Sequence, residues 1–157
     1  MFDTIARIGG LVDLTTVDTD GTAFAIFFQG CKKRCEGCQN PELQSFDEGS
    51  LIDVSFILKR IKSYMHWYTA VVFLGGEPLE QYEVLRLMLK EVKQLGLERW
   101  LYTGYTLTEI PVDILELCSV IVAGEYKQEL QTGGFPASSN QIVLDRRGDF
   151  YGYTANI

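Results

Sequence analysis

The stretch TAVVFLGGEPLEQYEVLRLMLKEVKQLG, Thr69–Gly96, decides the fold. It opens with Thr69–Leu74, a short apolar, β-branched run without helical period, which reads as a strand buried on both faces. Gly75-Gly76 and Pro78 break that run, and Tyr82, Leu85, Met88 or Leu89, Val92 and Leu95 then recur at the spacing of an amphipathic helix that Gly96 stops. The same unit recurs to either side. TAFAIFF, Thr22–Phe28, is a strand ending at Gln29-Gly30, and from Ser50 the positions Leu51, Val54, Leu58, Ile61 and Met65 predict a helix with Ser50 and Asp53 as a capping box. RWLYT, Arg99–Thr103, precedes a helical segment around Thr106–Leu117, and SVIVA, Ser119–Ala123, is the next strand. Strands alternating with helices predict an α/β fold with a parallel sheet and the helices packed outside it. A chain of 157 residues is too short for eight βα units, which take about 250 residues, so the expected architecture is a single-domain, incomplete (open) α/β barrel over residues 1–157, its sheet mostly parallel. Beyond Gly124 the pattern loosens through LQTGGFPASSN, and IVLD and DFYGY flank Arg146-Arg147-Gly148 as a terminal hairpin. There is no internal repeat or linker to support a second domain.

The composition, 46% hydrophobic and 22% charged, is that of a globular chain. A formal charge of −7 argues against nucleic acid as a partner, because binding the phosphate backbone requires clustered Lys and Arg. The longest apolar runs, Phe24–Phe28 and Val71–Leu74, fall far short of the ~20 residues needed to cross a bilayer, so no membrane role is expected. MFDTIARIGG lacks the pattern of a secretory signal, which places the chain in the cytoplasm, where thiols stay reduced. Closely spaced cysteines there read as metal or redox chemistry.

Those cysteines stand in GCKKRCEGC, where Cys31, Cys35 and Cys38 form C-x3-C-x2-C on the loop leaving the first predicted strand. Reactive groups of α/β sheets collect at the carboxyl ends of strands. Three thiolates on a short loop suit a cubane iron-sulfur cluster whose fourth iron lacks a protein ligand and is open to substrate. Two plainer readings stand beside it. A structural zinc site would need a fourth ligand, for which only Cys118 or His66 is available, and a redox dithiol at Cys35 and Cys38 would leave Cys31 idle.

LGGEPL, Leu74–Leu79, lies at the carboxyl end of the next strand and so on the same rim. Gly75 and Gly76 allow close backbone approach, Glu77 offers a carboxylate to a ligand ammonium, and Pro78 starts the following helix. Taken alone, Gly-Gly-Glu-Pro is also an ordinary strand-to-helix turn.

Together these motifs resemble the radical S-adenosylmethionine enzymes, whose hallmark is C-x3-C-x2-C followed by a GGEP-like turn. FFQGCKKRCEGCQN, LGGEPL, WLYTGYTLTEI, VIVAGEYKQEL and SSNQ occur in the order seen in the activating proteins of anaerobic (class III) ribonucleoside-triphosphate reductases, and the similarity runs from about Gly21 to Gln141. The resemblance implies a 4Fe-4S cluster on Cys31, Cys35 and Cys38 and reductive cleavage of S-adenosyl-L-methionine to a 5′-deoxyadenosyl radical that removes a hydrogen from a glycine of the partner reductase. By motif match it lays Gly37, Cys38 and Gln39 along the cofactor, assigns Gly75, Gly76 and Glu77 to its methionyl end, and brings Thr103 toward its ribose. Gln39 departs from the aromatic residue usual after the third cysteine, substituting amide hydrogen bonds for stacking area. In DTDGTAF, Asp18–Phe24, Ala23 stands where the family often has arginine, a role that is either absent here or supplied by Lys32, Lys33 or Arg34. That basic triplet also suits docking of an acidic electron donor such as flavodoxin, although a solvated loop face is the commoner fate of such residues. Two other function classes remain open on the residues, a radical enzyme acting on a small molecule such as a deazapurine precursor and a non-catalytic zinc module.

Overall fold

The computed structural model describes residues 4–33 and 35–148, with the backbone alone for residues 152–155. The elements are β1 (Ile5–Thr15), β2 (Ala23–Phe28), β3 (Ser50–Asp53), α1 (Val54–Ser63), β4 (Ala70–Gly75), α2 (Tyr82–Gln94), β5 (Glu98–Thr103), α3 (Val112–Leu117), β6 (Val120–Ala123), β7 (Ile142–Asp145) and β8 (Gly152–Ala155). All eight strands join one sheet in the order β3-β1-β2-β4-β5-β6-β7-β8.

The four strands read from apolar runs, β2, β4, β5 and β6, are neighbours and parallel, as their two-sided burial requires. Outside this centre every pairing is antiparallel: β1 with β2 and β3 on one side, β6 with β7 and β7 with β8 on the other. The expectation of a mostly parallel sheet is therefore corrected to a mixed one. The central strands are joined through α1, α2 and α3, the helical crossovers that parallel neighbours usually need, and among the described residues no α-helix lies between β1 and β2 or between β6 and β7. The predicted terminal hairpin is present as β7 and β8, with residues 149–151 outside the described residues.

Two boundaries differ from the sequence reading. Ser50–Asp53 pairs with Ile5–Ile8 as an edge strand, and Asp53 alone caps α1, its carboxylate accepting from the Ser55 N–H at 2.8 Å and the Ser55 hydroxyl at 2.7 Å. The segment Thr106–Leu117 is split: Thr106 and Glu109 form a capping box on a single 3-10 turn, and α3 begins only after Pro111.

The three helices lie against one face of the sheet. Val54, Ile57, Leu58 and Ile61 of α1, Leu85, Met88 and Leu89 of α2 and Ile114 of α3 share a core with Phe24, Ile26, Phe28, Val71, Phe73, Leu101 and Ile121 of the strands. The alternate strand positions form a second cluster on the other face, small at β2 and β4 (Ala23, Ala25, Ala70, Val72) and larger at β5 (Trp100). The loop between β1 and β2 reaches across this second face, where the Tyr102 hydroxyl donates to the Asp18 carbonyl at 2.6 Å. Arg147, after β7, ties the same loop down through Asp20 at 2.8 Å while also pairing with Asp145 at 2.8 Å. Because β2, β4, β5 and β6 run the same way, their carboxyl ends, and the loops that leave them, share one rim.

Candidate functional site

The site begins with how the cysteine loop is stitched to that rim. Gln29 is buried, and its side-chain amide donates to the carbonyls of Glu42 at 3.1 Å and Ser45 at 2.7 Å, closing the base of the loop. The Gly30 N–H donates to the Leu43 carbonyl at 2.7 Å and the Cys31 N–H to the Gln44 carbonyl at 3.0 Å. Further along, the Cys38 N–H donates to the Cys35 carbonyl at 3.1 Å across a turn that passes through Gly37 at φ +71°, in the left-handed region open to glycine.

This backbone path gathers three half-buried thiols, none in a disulfide. Burial pushes the Cys31 thiol up to about 11, and negative charge on Glu77, Cys35 and Cys38 adds to the rise; its sulfur lies 3.1 Å from the Lys33 carbonyl. Burial also raises Cys35, with the Glu125 carboxylate next in effect. Cys31 and Cys35 thus resist ionising, and a bound cation is what would reverse that resistance. Among the described residues no three His, Cys, Asp or Glu side chains converge on a point that would hold a single metal ion. The donor set is three soft sulfurs on one loop, which fits an iron-sulfur cluster. The two candidates for a fourth zinc ligand lie at the opposite end of the sheet. His66 is in the turn that precedes β4, and Cys118, 2% exposed, sits just before β6 on the helix-covered face, where burial drives its thiol up to about 12.

Gly75 and Gly76 do make a close approach, and its partner is the cysteine loop. A Cβ on Gly75, which has φ +112°, would stand 2.5 Å from the Phe28 nitrogen, and one on Gly76 would stand 2.5 Å from the Gly30 carbonyl oxygen and 2.6 Å from that of Leu43. The Gly76 N–H donates to the Phe28 carbonyl and the Glu77 N–H to the Gly30 carbonyl, both at 2.8 Å. The glycine pair is what lets the GGEP turn and the cysteine loop fuse into one rim.

Glu77 is 1% exposed, and its carboxylate accepts from the Leu79 N–H at 3.0 Å, the Thr103 hydroxyl at 2.8 Å and the Gly104 N–H at 2.7 Å. Burial pushes its pKa up to about 7, against the pull of those donors. Of the roughly four lone-pair positions of a carboxylate, three are occupied within the protein. Thr103 is similarly committed: its proton goes to Glu77 and its oxygen accepts the Tyr105 N–H at 3.1 Å. Glu77 and Thr103, predicted separately, are therefore one unit joining the ends of β4 and β5.

Gln39 is exposed beside Cys38. Ala23 is fully buried at the start of β2, paired with Ala70, about 16 Å along the strand from Phe28 at 3.3 Å per residue. Lys32 and Lys33 follow the other end of β2, so they do not replace a group at Ala23. Both are paired: Lys32 with Glu80 at 3.5 Å and Lys33 with Glu125 at 3.8 Å. Arg34 is outside the described residues. The structure adds Glu80, Tyr105 and Glu125 to the rim, none of which the sequence reading selected individually. Tyr105 and Glu125 could have been found as polar residues directly after strand ends, inside the motifs TGY and AGEY.

Residues 17–144 match the family model described as a 4Fe-4S single cluster domain. The chain is 30% identical over 141 residues to the anaerobic ribonucleoside-triphosphate reductase-activating protein of Pasteurella multocida, covering 81% of this chain and 89% of that one. It is 28% identical over 123 residues to the protein of the same name from phage T4, covering 74% of this chain and 78% of that one. It is also 31% identical over 125 residues to the pyruvate formate-lyase 1-activating enzyme of Escherichia coli, covering 75% of this chain but only 51% of that longer enzyme. A three-thiol loop fused to a GGEP turn, in a chain that matches the cluster domain over most of its length, assigns the protein to the 4Fe-4S single cluster domain family and, with it, to the radical S-adenosylmethionine enzymes.

Proposed function

We propose that this protein activates an anaerobic (class III) ribonucleoside-triphosphate reductase by installing a glycyl radical on it. The observation that carries the reading is the fusion of the Cys31–Cys38 loop with Gly75–Glu77 on one rim, in a chain that spans nearly the whole of the Pasteurella multocida activating protein. When bound, the cluster supplies an electron that cleaves the sulfonium of S-adenosylmethionine, giving a 5′-deoxyadenosyl radical able to take a hydrogen from a glycine Cα. The residues of this chain have the remaining work of holding and orienting. Cys31, Cys35 and Cys38 would hold the cluster as thiolates, three donors that would leave one of its irons without a protein ligand. Gly75, Gly76 and Glu77 receive the methionyl end, Glu77 through the lone pair its internal bonds leave free. Gly37, Cys38 and Gln39 lie along the cofactor, and the Gln39 amide serves the adenine by hydrogen bonding. Thr103 reaches the ribose through its oxygen, since its proton is held by Glu77.

The sheet is read as a single-domain incomplete barrel, with the helix-free face as its concave side. Across that face the loop between β1 and β2 reaches over β5 to meet Arg147 at Asp20. A rim open on one side suits a protein substrate. Exposed Lys32 is the remaining described contact for an acidic donor such as flavodoxin. We read the protein as cytoplasmic; its charge of −7 argues against nucleic acid as a partner, and among the described residues no helix is long and apolar enough to cross a membrane.

The test is cofactor turnover. Anaerobic chain with S-adenosylmethionine and a strong reductant is expected to release 5′-deoxyadenosine, with release accelerated by the reductase and abolished by Cys31→Ala, Cys35→Ala or Cys38→Ala. Acceleration by a small molecule, with none from the reductase, would replace this reading by that of a small-substrate radical enzyme.

A further inference from the structure

We infer that Tyr105 is a positioning residue for the cysteine loop, and that Lys32 and Lys33 are the two arms by which the loop is seated on it. Tyr105 follows β5 on the rim. Its hydroxyl donates to Glu80 Oε1 at 2.6 Å, and Lys32 Nζ lies 3.5 Å from the other oxygen of that carboxylate. Glu80 is buried, with 7% of its side chain exposed, and Oε2 has no hydrogen-bond partner among the described residues. A buried carboxylate oxygen left in that state calls for a cation, and Lys32 is the one beside it.

The second arm runs over the ring. Lys33 Nζ sits 4.7 Å from the Tyr105 ring centroid and continues to Glu125 at 3.8 Å, after β6. Its alkyl stem lies along Gly104, where an added Cβ would come 3.0 Å from Lys33 Cδ. The tip of the loop is packed onto the same segment, since a Cβ on Gly37 would meet the Gln128 side chain at 2.7 Å. Adjacent lysines thus converge on Tyr105, Lys33 over its ring and Lys32 through Glu80 at its hydroxyl, binding the loop that carries Cys31 and Cys35 to the turns after β4, β5 and β6. Lys33, with a quarter of its side chain exposed, has its ammonium engaged by Tyr105 and Glu125, which leaves Lys32 the more exposed of the two lysines.

The inference rests on the cluster reading only for its purpose, since the seat exists in the chain itself. It is tested by hydrogen exchange on the full-length chain after iron chelation, reading a peptide over residues 30–39 and one over α2. Lys33→Gln and Tyr105→Leu are expected to speed exchange of the loop peptide by about five- to tenfold, leaving α2 unchanged. Lys33→Arg should restore the wild-type rate, and Tyr105→Phe, which keeps the ring but loses the Glu80 bond, should fall between. In the cluster-loaded chain, Tyr105→Leu should alter the electron paramagnetic resonance line shape of the reduced cluster while Lys33→Arg leaves it unchanged. Loop exchange at the wild-type rate in Lys33→Gln, or equal acceleration in α2, would overturn the inference. Failure to bind iron with the exchange results as expected would instead refute the cluster reading.

Discussion

Glu77→Gln tests the rim most sharply, because the structure fixes what the substitution must break. The carboxylate accepts from one donor on Oε1, the Gly104 N–H, and from two on Oε2, the Leu79 N–H and the Thr103 hydroxyl. An amide keeps the shape but turns one acceptor into a donor. If the nitrogen faces Gly104, that N–H loses its acceptor; if it faces Oε2's partners, the Leu79 N–H does. One backbone donor is left unsatisfied in either orientation, at a site 1% exposed where water cannot replace the bond. A buried unsatisfied donor costs about 1–3 kcal/mol. The surviving bonds also lose their charge assistance, but burial holds the Glu77 carboxyl up to about 7, so relief of the carboxylate's desolvation offsets that loss and the expected total stays at about 1–3 kcal/mol. With a urea slope of about 2 kcal/mol/M the unfolding midpoint of the metal-free chain should fall by about 0.5–1.5 M, with the slope unchanged. A loss below about 0.5 kcal/mol would refute the argument that Glu77 ties β4 to β5.

Other outcomes follow from the same geometry. Gly76→Ala brings a Cβ within 2.6 Å of two backbone oxygens, so it should destabilise the chain by about 1–3 kcal/mol and lower iron content after anaerobic reconstitution, read by iron and sulfide analysis. Replacing Cys31, Cys35 or Cys38 by Ala should abolish the cluster, whereas Cys118→Ala should retain it with a loss of about 1 kcal/mol, read by the same analysis and by urea unfolding. Arg147→Gln removes the tie between Asp20, Glu98 and Asp145 and the stacking on Trp100, and should cost about 1–2 kcal/mol near neutral pH. Arg147 holds the Asp145 carboxyl below its ordinary value, so the stability it supplies is present above about pH 3.8 and lost as pH falls through the depressed value; the gap between wild type and variant should narrow there in urea titrations.

The parts of this fold legible in the sequence are those where one local pattern persists. β2, β4, β5 and β6 are buried on both faces, and their unbroken apolar runs say so; α2 shows its period over thirteen residues. β1 was hidden because register shifts between Ile8 and Gly10 and between Val12 and Thr15 interrupt its alternation. Ser50–Asp53 looked helical because Leu51 falls in phase with α1, yet those residues pair with β1, and Leu51 is 64% exposed. The site divides in the same way. The cysteines and GGEP turn declare themselves by spacing, whereas the Glu77–Thr103 unit and the Tyr105 seat join residues 25 or more positions apart along the chain and arise only when parallel strands bring their loops together. The glycine pair carries a further lesson: its closeness serves the neighbouring loop's backbone, which spacing alone does not reveal.

The central claim is met most directly by electron paramagnetic resonance on an anaerobic mixture of the chain, S-adenosylmethionine, a strong reductant and a class III reductase from the same genome. The account predicts a glycine-centred doublet that requires the reductase and all three cluster cysteines, and that collapses to a singlet when the reductase carries glycine deuterated at Cα. Cofactor cleaved at full rate with no radical on the reductase would contradict it.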